Sequence, residues 1–346
     1  MSNIFKRGTV TFSPARRRSA LSTSSPLPRV ALPGERDGGA LLGPTGARLA
    51  KGELPARSRR GPMGLSSQRG RPMTISAGLG LANFPFSSGR AFWRWVDLCE
   101  SGGIDSIWQS DRLVSPIPNL EVMSVMAALA GGTKRLKFGM NVASLGHRDP
   151  FITAKACATI DVLSEGRLLP AFGVGTARSA DYSARGVPTQ GRGKRSAEAL
   201  EILSTLWAKG TITFEGTYYR YQDATLAPGP VQTPMPLWVG GSAPAAIERT
   251  ARWGTGWQAG LETPEEIAPV IQAIKVRAEA LGRPIDEDHF GAGFAFRFGR
   301  PDDPVAKAQR EALQARLGAQ AEAMMAVGDG ETILERLLAY HAAGAH

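Results

Sequence analysis

From Thr74 onward the chain alternates short apolar runs with helical stretches, and this alternation restricts the fold more than any other feature. Strands are expected over 75–81, 104–108, 136–142, 168–174, 236–239, 256–259 and 290–298. Helices are expected over 89–101, 120–129, 151–163, 195–207, 245–253, 264–281 and 331–343. A β-rich stretch at 211–221 and a Pro-rich stretch at 228–236 form an excursion, and the Ala-, Gln- and Arg-rich segment 304–326 favours an extra helix. Short buried strands separated by helices imply βαβ units and a parallel sheet. Two α/β architectures fit: an open doubly wound sheet, or a closed eight-stranded barrel of about 250 residues. Seven units fall one short of closure, and the chain reaches Gly344-Ala345-His346 where an eighth strand would start.

Charge divides the chain into two regions. The 346 residues carry 41 Lys/Arg and 31 Asp/Glu; 14 and 3 of these fall in residues 1–72, leaving 27 and 28 for the rest. The net charge of +10 therefore belongs to the first 72 residues, and the remainder is near neutral. Counterion-release binding to nucleic acid needs clustered cations, which only that segment could supply, so nucleic acid is not an expected partner. Residues 1–72 are rich in Pro, Gly, Ser and Arg and hold no Trp, Tyr, Cys or His, a composition that favours disorder. Their Arg- and Ser-rich, acid-poor start has the character of a transit peptide. The favoured reading is a start misassigned upstream of Met63 or Met73, with the folded domain spanning 73–346. No apolar run reaches the roughly 20 residues that span a bilayer, and no secretory core is present, so a cytoplasmic protein without membrane contact is expected. Cys99 and Cys157 stand far apart in apolar helical contexts and read as buried structural thiols.

Three groups of residues could carry chemistry. In the first, a buried strand runs through Trp238-Val239 into Gly240, Gly241 and Ser242, with Ser242 expected at an N-cap and Pro244 in the first helical turn. Glycines permit close backbone approach and a helix start offers N–H groups, so this turn suits a phosphate as well as it suits a tight structural turn. The second is Phe172-Gly173-Val174-Gly175-Thr176, a strand end where Arg178 occupies the place of a third glycine. Neither GxGxxG nor a GxxxxGK[ST] loop is completed, which argues against a dinucleotide or nucleoside-triphosphate enzyme. The third group comprises Asn83, Ser110, Asp111, Arg112, Asn141, Ser144, His147 and Arg148, all near the ends of consecutive strands. In a parallel barrel those ends share the face where ligands bind. The four histidines, His147, His289, His341 and His346, lack metal-ligand spacing, so no metal is expected. Without a metal, a GxSxG elbow or a papain-like cysteine, the hard chemistry falls to a bound organic cofactor.

Several blocks in order resemble the luciferase-like monooxygenase family. The segment 150–167, with Thr159-Ile160-Asp161-Val162-Leu163-Ser164-Glu165-Gly166-Arg167, is similar to the family's "T-L-D-x-L-S-x-G-R" block. Gly173-Val174-Gly175-Thr176 follows at the matching distance. Phe214-Glu215-Gly216-Thr217-Tyr218-Tyr219 is similar to "F-x-G-x-x-Y", and the segments 234–242 and 251–257 are similar to the fifth and sixth strands. The resemblance implies a TIM (β/α)8-type barrel, here apparently lacking the eighth strand and helix at its C-terminus. It also implies reduced FMN, or the deazaflavin F420, bound at the C-terminal face, with the phosphate near Gly175, Thr176, Gly240, Gly241 and Ser242. Asn83, Asp111 and Asn141 match positions near the ring and substrate, and a bulge just after Asn141 is implied. A homodimer is the implied assembly. Three positions depart from the pattern: Arg112 where histidine is frequent, Thr255 for the aspartate of "G-D-G-W", and Pro170 within the fourth strand.

The expected activity is a flavin-dependent oxidoreductase, foremost a monooxygenase using reduced FMN and oxygen on a small organic substrate, with a flavin reductase as the partner this implies. Asp111, Arg112, His147 and Arg148 are the candidate catalytic group, the two arginines suited to an anionic substrate or flavin. The alternatives are F420-dependent hydride transfer on the same fold, and a truncated flavin-binding protein without turnover.

Overall fold

The computed structural model describes residues 75–346; the expectations for residues 1–72 lie outside this range. The elements in chain order begin with β1 (Gly78–Leu81), α1 (Gly89–Ser101), β2 (Ser106–Gln109), α2 (Val122–Gly132), β3 (Lys137–Met140) and β4 (Ala143–Ser144). They continue with α3 (Pro150–Leu163), β5 (Leu168–Leu169), β6 (Ala171–Gly173), α4 (Ala180–Ala184) and α5 (Arg192–Lys209). An antiparallel hairpin, β7 (Thr211–Glu215) and β8 (Arg220–Thr225), precedes β9 (Trp238–Gly240), α6 (Pro244–Trp253), β10 (Gly256–Gln258) and α7 (Pro264–Ala280). The last elements are β11 (Phe290–Gly291), β12 (Ala295–Phe298), α8 (Pro304–Leu317), β13 (Met325–Gly328) and α9 (Gly330–Ala342).

Every ladder apart from the hairpin is parallel. One sheet runs β1-β2-β3-β5 and the other β11-β10-β9-β6-β4. They meet because β3 and β4 are two halves of one strand, broken at the cis Asn141–Val142 peptide, and β5 and β6 are two halves of the next, broken at Pro170. Proline has no N–H to give the ladder, yet its carbonyl still accepts from Trp238 N–H at 3.0 Å. Seven parallel strand positions with helices outside make the barrel wall, as expected. Next to the seventh, the chain's last residue donates its N–H to Phe290 O at 2.8 Å, and Ala345 is buried beside it. Among the described residues no ladder links β1 to the seventh strand.

The extra helix expected within 304–326 is α8, followed by a 3-10 turn over Gly318–Ala321. Two details differ: Met325–Gly328 is a strand paired in parallel with β12, and the single strand expected over 290–298 is divided into β11 and β12. Met-Met-Ala suits helix and strand alike, so propensity could not separate them; pairing with β12 decided the outcome.

Two layers of packing follow from strand alternation. Ile107, Phe138, Phe172 and Val239 point outward and are buried against Val96, Met126, Leu129 and Leu203 of the helices. Trp257 and Phe290 do the same against Ile267, Ile271 and Ile274 of α7. Inside, Trp108 and Trp238 lie with ring centroids 5.9 Å apart. The neighbouring strands carry glycine where the indoles rest. A Cβ on Gly139 would come within 2.6 Å of the Trp108 ring, and one on Gly256 or Gly291 within 2.7 Å of Trp238. The barrel's lower interior is therefore filled by two large rings over glycine rather than by layers of aliphatic residues.

The block that most resembles the family builds scaffold. Asp161 is fully buried and accepts from Val231 N–H, Gln232 N–H and Gln232 Nε2 at 2.8, 3.0 and 2.6 Å, which fastens the Pro-rich excursion to α3. The Arg167 guanidinium donates to Ala130, Thr133 and Leu136 carbonyls and closes the C-terminal end of α2. Thr255 has its own task, its hydroxyl accepting from Leu237 N–H at 2.8 Å to align the start of β9.

The tryptophan filling predicts a contrast between two glycines. Gly139→Ala should cost about 1–3 kcal/mol, because Cβ meets both an indole and the Leu169 carbonyl. Gly80→Ala, which meets nothing within 4 Å, should change stability by less than about 0.5 kcal/mol. Urea unfolding midpoints check this; equal losses would remove the packing argument.

Candidate active site at the barrel mouth

The C-terminal ends of the parallel strands open on one face, and the tail of each carries a polar or glycine-rich segment. Val142 defines its floor. At the break between β3 and β4 its side chain turns inward over the next two strands. A Cβ on Gly173 would lie 2.7 Å from Val142 Cγ2, and one on Gly240 3.2 Å from both Val142 methyls. The bulge expected after Asn141 is thus present, and the glycines at 173 and 240 are required by it. Gly175 adopts φ +68, which favours glycine, and a Cβ there would also strike Ser144 Oγ at 2.6 Å.

Beside this floor lies a buried ion pair. Asp111, whose side chain is 2% exposed, accepts from Arg148 Nη2 at 2.7 Å and from Ser144 N–H at 3.0 Å. Arg148 also reaches Glu121 Oε1 at 3.4 Å. Glu121 caps α2 by accepting from the Ser124 N–H and hydroxyl at 2.7 and 2.9 Å. Burial pushes the Glu121 carboxyl up, but those bonds and Arg148 outweigh it and hold it below its usual range. Asp111 does not pair with its sequence neighbour Arg112. Arg112 points outward and is exposed, while Asp111 turns to Arg148 because only that guanidinium reaches it from the buried side.

His147 is 3% exposed, and neither ring nitrogen has a hydrogen-bond partner. Its ring meets Tyr182 edge-on at 5.2 Å, and Tyr182 donates its hydroxyl to Val174 O at 2.5 Å. Burial lowers the His147 pKa, opposed by the nearby Asp111 and Asp181 carboxylates, so the ring is neutral at pH 7. Asp181 in turn accepts from Leu113 N–H at 3.2 Å and Val114 N–H at 2.7 Å, holding the loop after β2. Ser144 Oγ and Arg148 Nε, like the His147 nitrogens, are buried without partners. Buried polar atoms are almost always satisfied, so a group of orphans at a barrel mouth is what a ligand site presents.

The structure places the other sequence candidates as follows. Asn83 and Asn141 are exposed at the mouth, after β1 and β3, with β2 between them. Thr176 is exposed and its hydroxyl accepts from Arg178 N–H at 3.0 Å, closing a turn. Gly240, Gly241 and Ser242 lie at the end of β9, but Ser242 is not the N-cap: Ala243 is, with no side-chain cap bond. Pro244 at the first helical position sets the start one residue later, leaving Ser242 on the turn itself. Sequence reasoning missed Glu121, Asp181, Tyr182, Ser196 and Arg249. The first had a signal in its place ahead of an apolar helix with Ser124 three residues on; the others sit on α4, α5 and α6, helix faces whose register only the fold supplies. No group of three metal-ligating side chains occurs among the described residues, and none of the described helices is long and apolar enough to cross a membrane.

A parallel α/β barrel whose mouth joins an inward-turned bulge, a buried carboxylate–guanidinium pair and glycine turns defines a class of cofactor-binding oxidoreductase scaffold. Within that class the assignment is direct: the profile of the luciferase-like monooxygenases matches residues 65–317, and the chain belongs to that family. It is 36% identical over 167 residues to a protein of Mycobacterium tuberculosis, across 48% of this chain and 57% of that one, and so spans little more than half of that relative's length. It is 29% identical over 243 residues to the F420-dependent glucose-6-phosphate dehydrogenase of Kineococcus radiotolerans, across 66% and 70% of the two chains. Among solved structures, an F420-dependent secondary alcohol dehydrogenase in complex with an F420-acetone adduct superposes with a TM-score of 0.69 at 18% identity, over 79% of this chain and 92% of that one, a likeness of fold.

Two outcomes follow. Asp111→Asn should destabilise the protein by about 2–4 kcal/mol, since it strands a buried guanidinium; a change below about 1 kcal/mol by calorimetry would mean the pair is solvated. For His147 the folded pKa lies below the unfolded value near 6.5, so the unfolded chain takes up the proton first as pH falls. Stability contributed by neutral His147 is present above pH 6.5 and declines below it. His147→Phe should therefore lose less stability than the parent between pH 7 and 5, and parallel losses in the two would contradict the assignment.

Proposed function

We propose that the chain is an oxidoreductase that uses the deazaflavin F420 to move a hydride to or from a small organic substrate. The family supports a flavin-type cofactor, and the F420-dependent enzyme named above moves the weight from FMN to F420. The observation that carries the reading is Val142 turned over Gly173 and Gly240, which gives an apolar floor to a mouth rimmed by amides and glycine turns. A planar tricyclic ring fits such a floor, and the orphaned Ser144 and His147 atoms beside it fit a ligand with a polar edge.

When bound, F420 supplies a two-electron hydride donor or acceptor and needs no oxygen. The chain's own residues position the reactants. Val142, Asn83 and Asn141 are the residues at the mouth that would hold its ring. Gly175, Thr176, Gly240, Gly241 and Ser242 would hold its phosphate end. Asp111, fixed by Arg148, gives the mouth a stationary carboxylate, and exposed Arg112 meets an anionic substrate at the rim. With arginine at position 112, proton transfer falls to another group or to the substrate itself, which favours a reaction whose main demand is orientation. The family name keeps one competing reading alive: reduced FMN with oxygen, supplied by a flavin reductase.

A difference titration of the full chain with both cofactors separates these readings. F420 should bind stoichiometrically and at least tenfold more tightly than FMN. Tighter FMN binding with substrate-dependent oxygen uptake would replace the proposal by the monooxygenase reading, and failure of both would leave a scaffold without redox function.

A further inference from the structure

A cavity of about 410 Å³ opens in the lobe made by β12, α8, β13 and α9, and none of the residues lining it belongs to the mouth. Its floor is β13. Ala295 N–H donates to Met324 O at 2.9 Å and Gly299 N–H to Gly328 O at 3.0 Å, so the even-numbered residues of β13 face β12. Backbone groups alternate sides along a strand, and Met325 and Val327 therefore turn theirs to the opposite edge. No strand pairs with that edge among the described residues. Met325 N–H reaches Glu322 O at 3.5 Å, while the Met325 carbonyl and both backbone groups of Val327 have no backbone partner among the described residues. One donor and two acceptors are thus left beside the apolar side chains of Met325 and Val327.

The walls carry charges of both signs. On the α8 side, Arg310 Nε lies 3.5 Å from Glu322 Oε2, a pair already matched. On the α9 side, Arg336 and Glu335 both line the cavity, and neither takes part in an ion pair among the described residues. Arg336 is partly buried and gives Nη1 to the Ala323 carbonyl, which fixes its guanidinium in place. Ala339, one turn further along α9, adds an apolar surface next to them. A fixed cation, a carboxylate, a bare strand edge and an apolar floor therefore meet around one space.

We infer that this cavity is a binding site for a free α-amino acid with an apolar side chain. The carboxylate meets Arg336 and the Val327 N–H, because a guanidinium matches a carboxylate and a strand edge supplies the second donor. The ammonium meets Glu335 and the unpaired carbonyls, and the side chain rests on Met325, Val327 and Ala339. A ligand of one charge leaves half of these groups unmet, whereas a zwitterion meets all of them. The volume falls in the range of roughly 300–1,000 Å³ typical of small-molecule sites. The inference does not depend on which cofactor the mouth takes.

Calorimetric titration of the full chain with L-leucine tests it. Saturable binding is expected, at least tenfold weaker for glycine, N-acetylleucine and leucinamide, which lack the side chain, the ammonium and the carboxylate in turn. Arg336→Gln and Glu335→Gln should each weaken leucine binding at least tenfold, and Arg220→Gln, an exposed residue of the hairpin, should leave it unchanged. Absence of saturable leucine binding overturns the site. So does equal affinity for any of the three analogues, or undiminished leucine binding in either variant with its melting temperature retained. Should Arg336→Gln fail to fold through loss of its bond to Ala323 O, Glu335→Gln and the analogues decide the matter with the same expectations.

Discussion

The two indoles inside the barrel set the terms for everything above them. Trp108 and Trp238 occupy the lower interior only because Gly78, Gly139, Gly256 and Gly291 leave room on the facing strands. Ring and glycine together fill the volume that layers of aliphatic side chains would otherwise fill. A barrel filled this way from below has a solid base and an interior that ends before the strand tips. The side chain that completes it is Val142, at the break in the third strand, and its methyls come within 2.7 and 3.2 Å of where Cβ atoms of Gly173 and Gly240 would lie. Floor and wall are thus one packing problem, and the mouth is what remains.

The polar side of the mouth is held by charge rather than by volume. Asp111 is nearly inaccessible, and its bond to Arg148 joins the tail of the second strand to the tail of the third. Asp181 and Tyr182, on the short α4, tie the loop after β2 and the end of the fourth strand to the same point. Removing one member of such a buried pair costs more than the pair itself contributes, so the geometry is locked once formed. Beside this frame, Ser144, His147 and Arg148 each keep a buried polar atom without a partner. Preorganised donors without partners are the structural requirement for holding a charged, planar ligand.

Much of this was legible in the sequence, for physical reasons. The alternation of buried strands and helices marks a parallel α/β fold, because such strands are apolar on both faces. Pro170 announced its gap, since proline cannot donate to a ladder, and the glycines after the fourth and fifth strands announced close approach. The Asp161 and Arg167 block was recognisable because it is scaffold, fastening one loop and one helix end. Other features needed the fold. Met325–Gly328 has no strand signature of its own and becomes one by pairing with β12. Asp111 chose Arg148, 37 residues away, over its neighbour Arg112, because burial and not adjacency decides an ion pair. Arg249 and Ser196 lie on different helices, and no spacing rule brings them together.

The central claim is that Val142 and the glycine turns form the floor and phosphate end of a deazaflavin site. A diffraction structure of the full chain with F420 tests it most directly. The account predicts the ring lying against Val142, its polar edge toward Asn83 and Asn141, and its phosphate at the turns of Gly175-Thr176 and Gly240-Gly241-Ser242. A ring bound elsewhere, or a Val142 side chain turned away from Gly173 and Gly240 with the cofactor present, would contradict it.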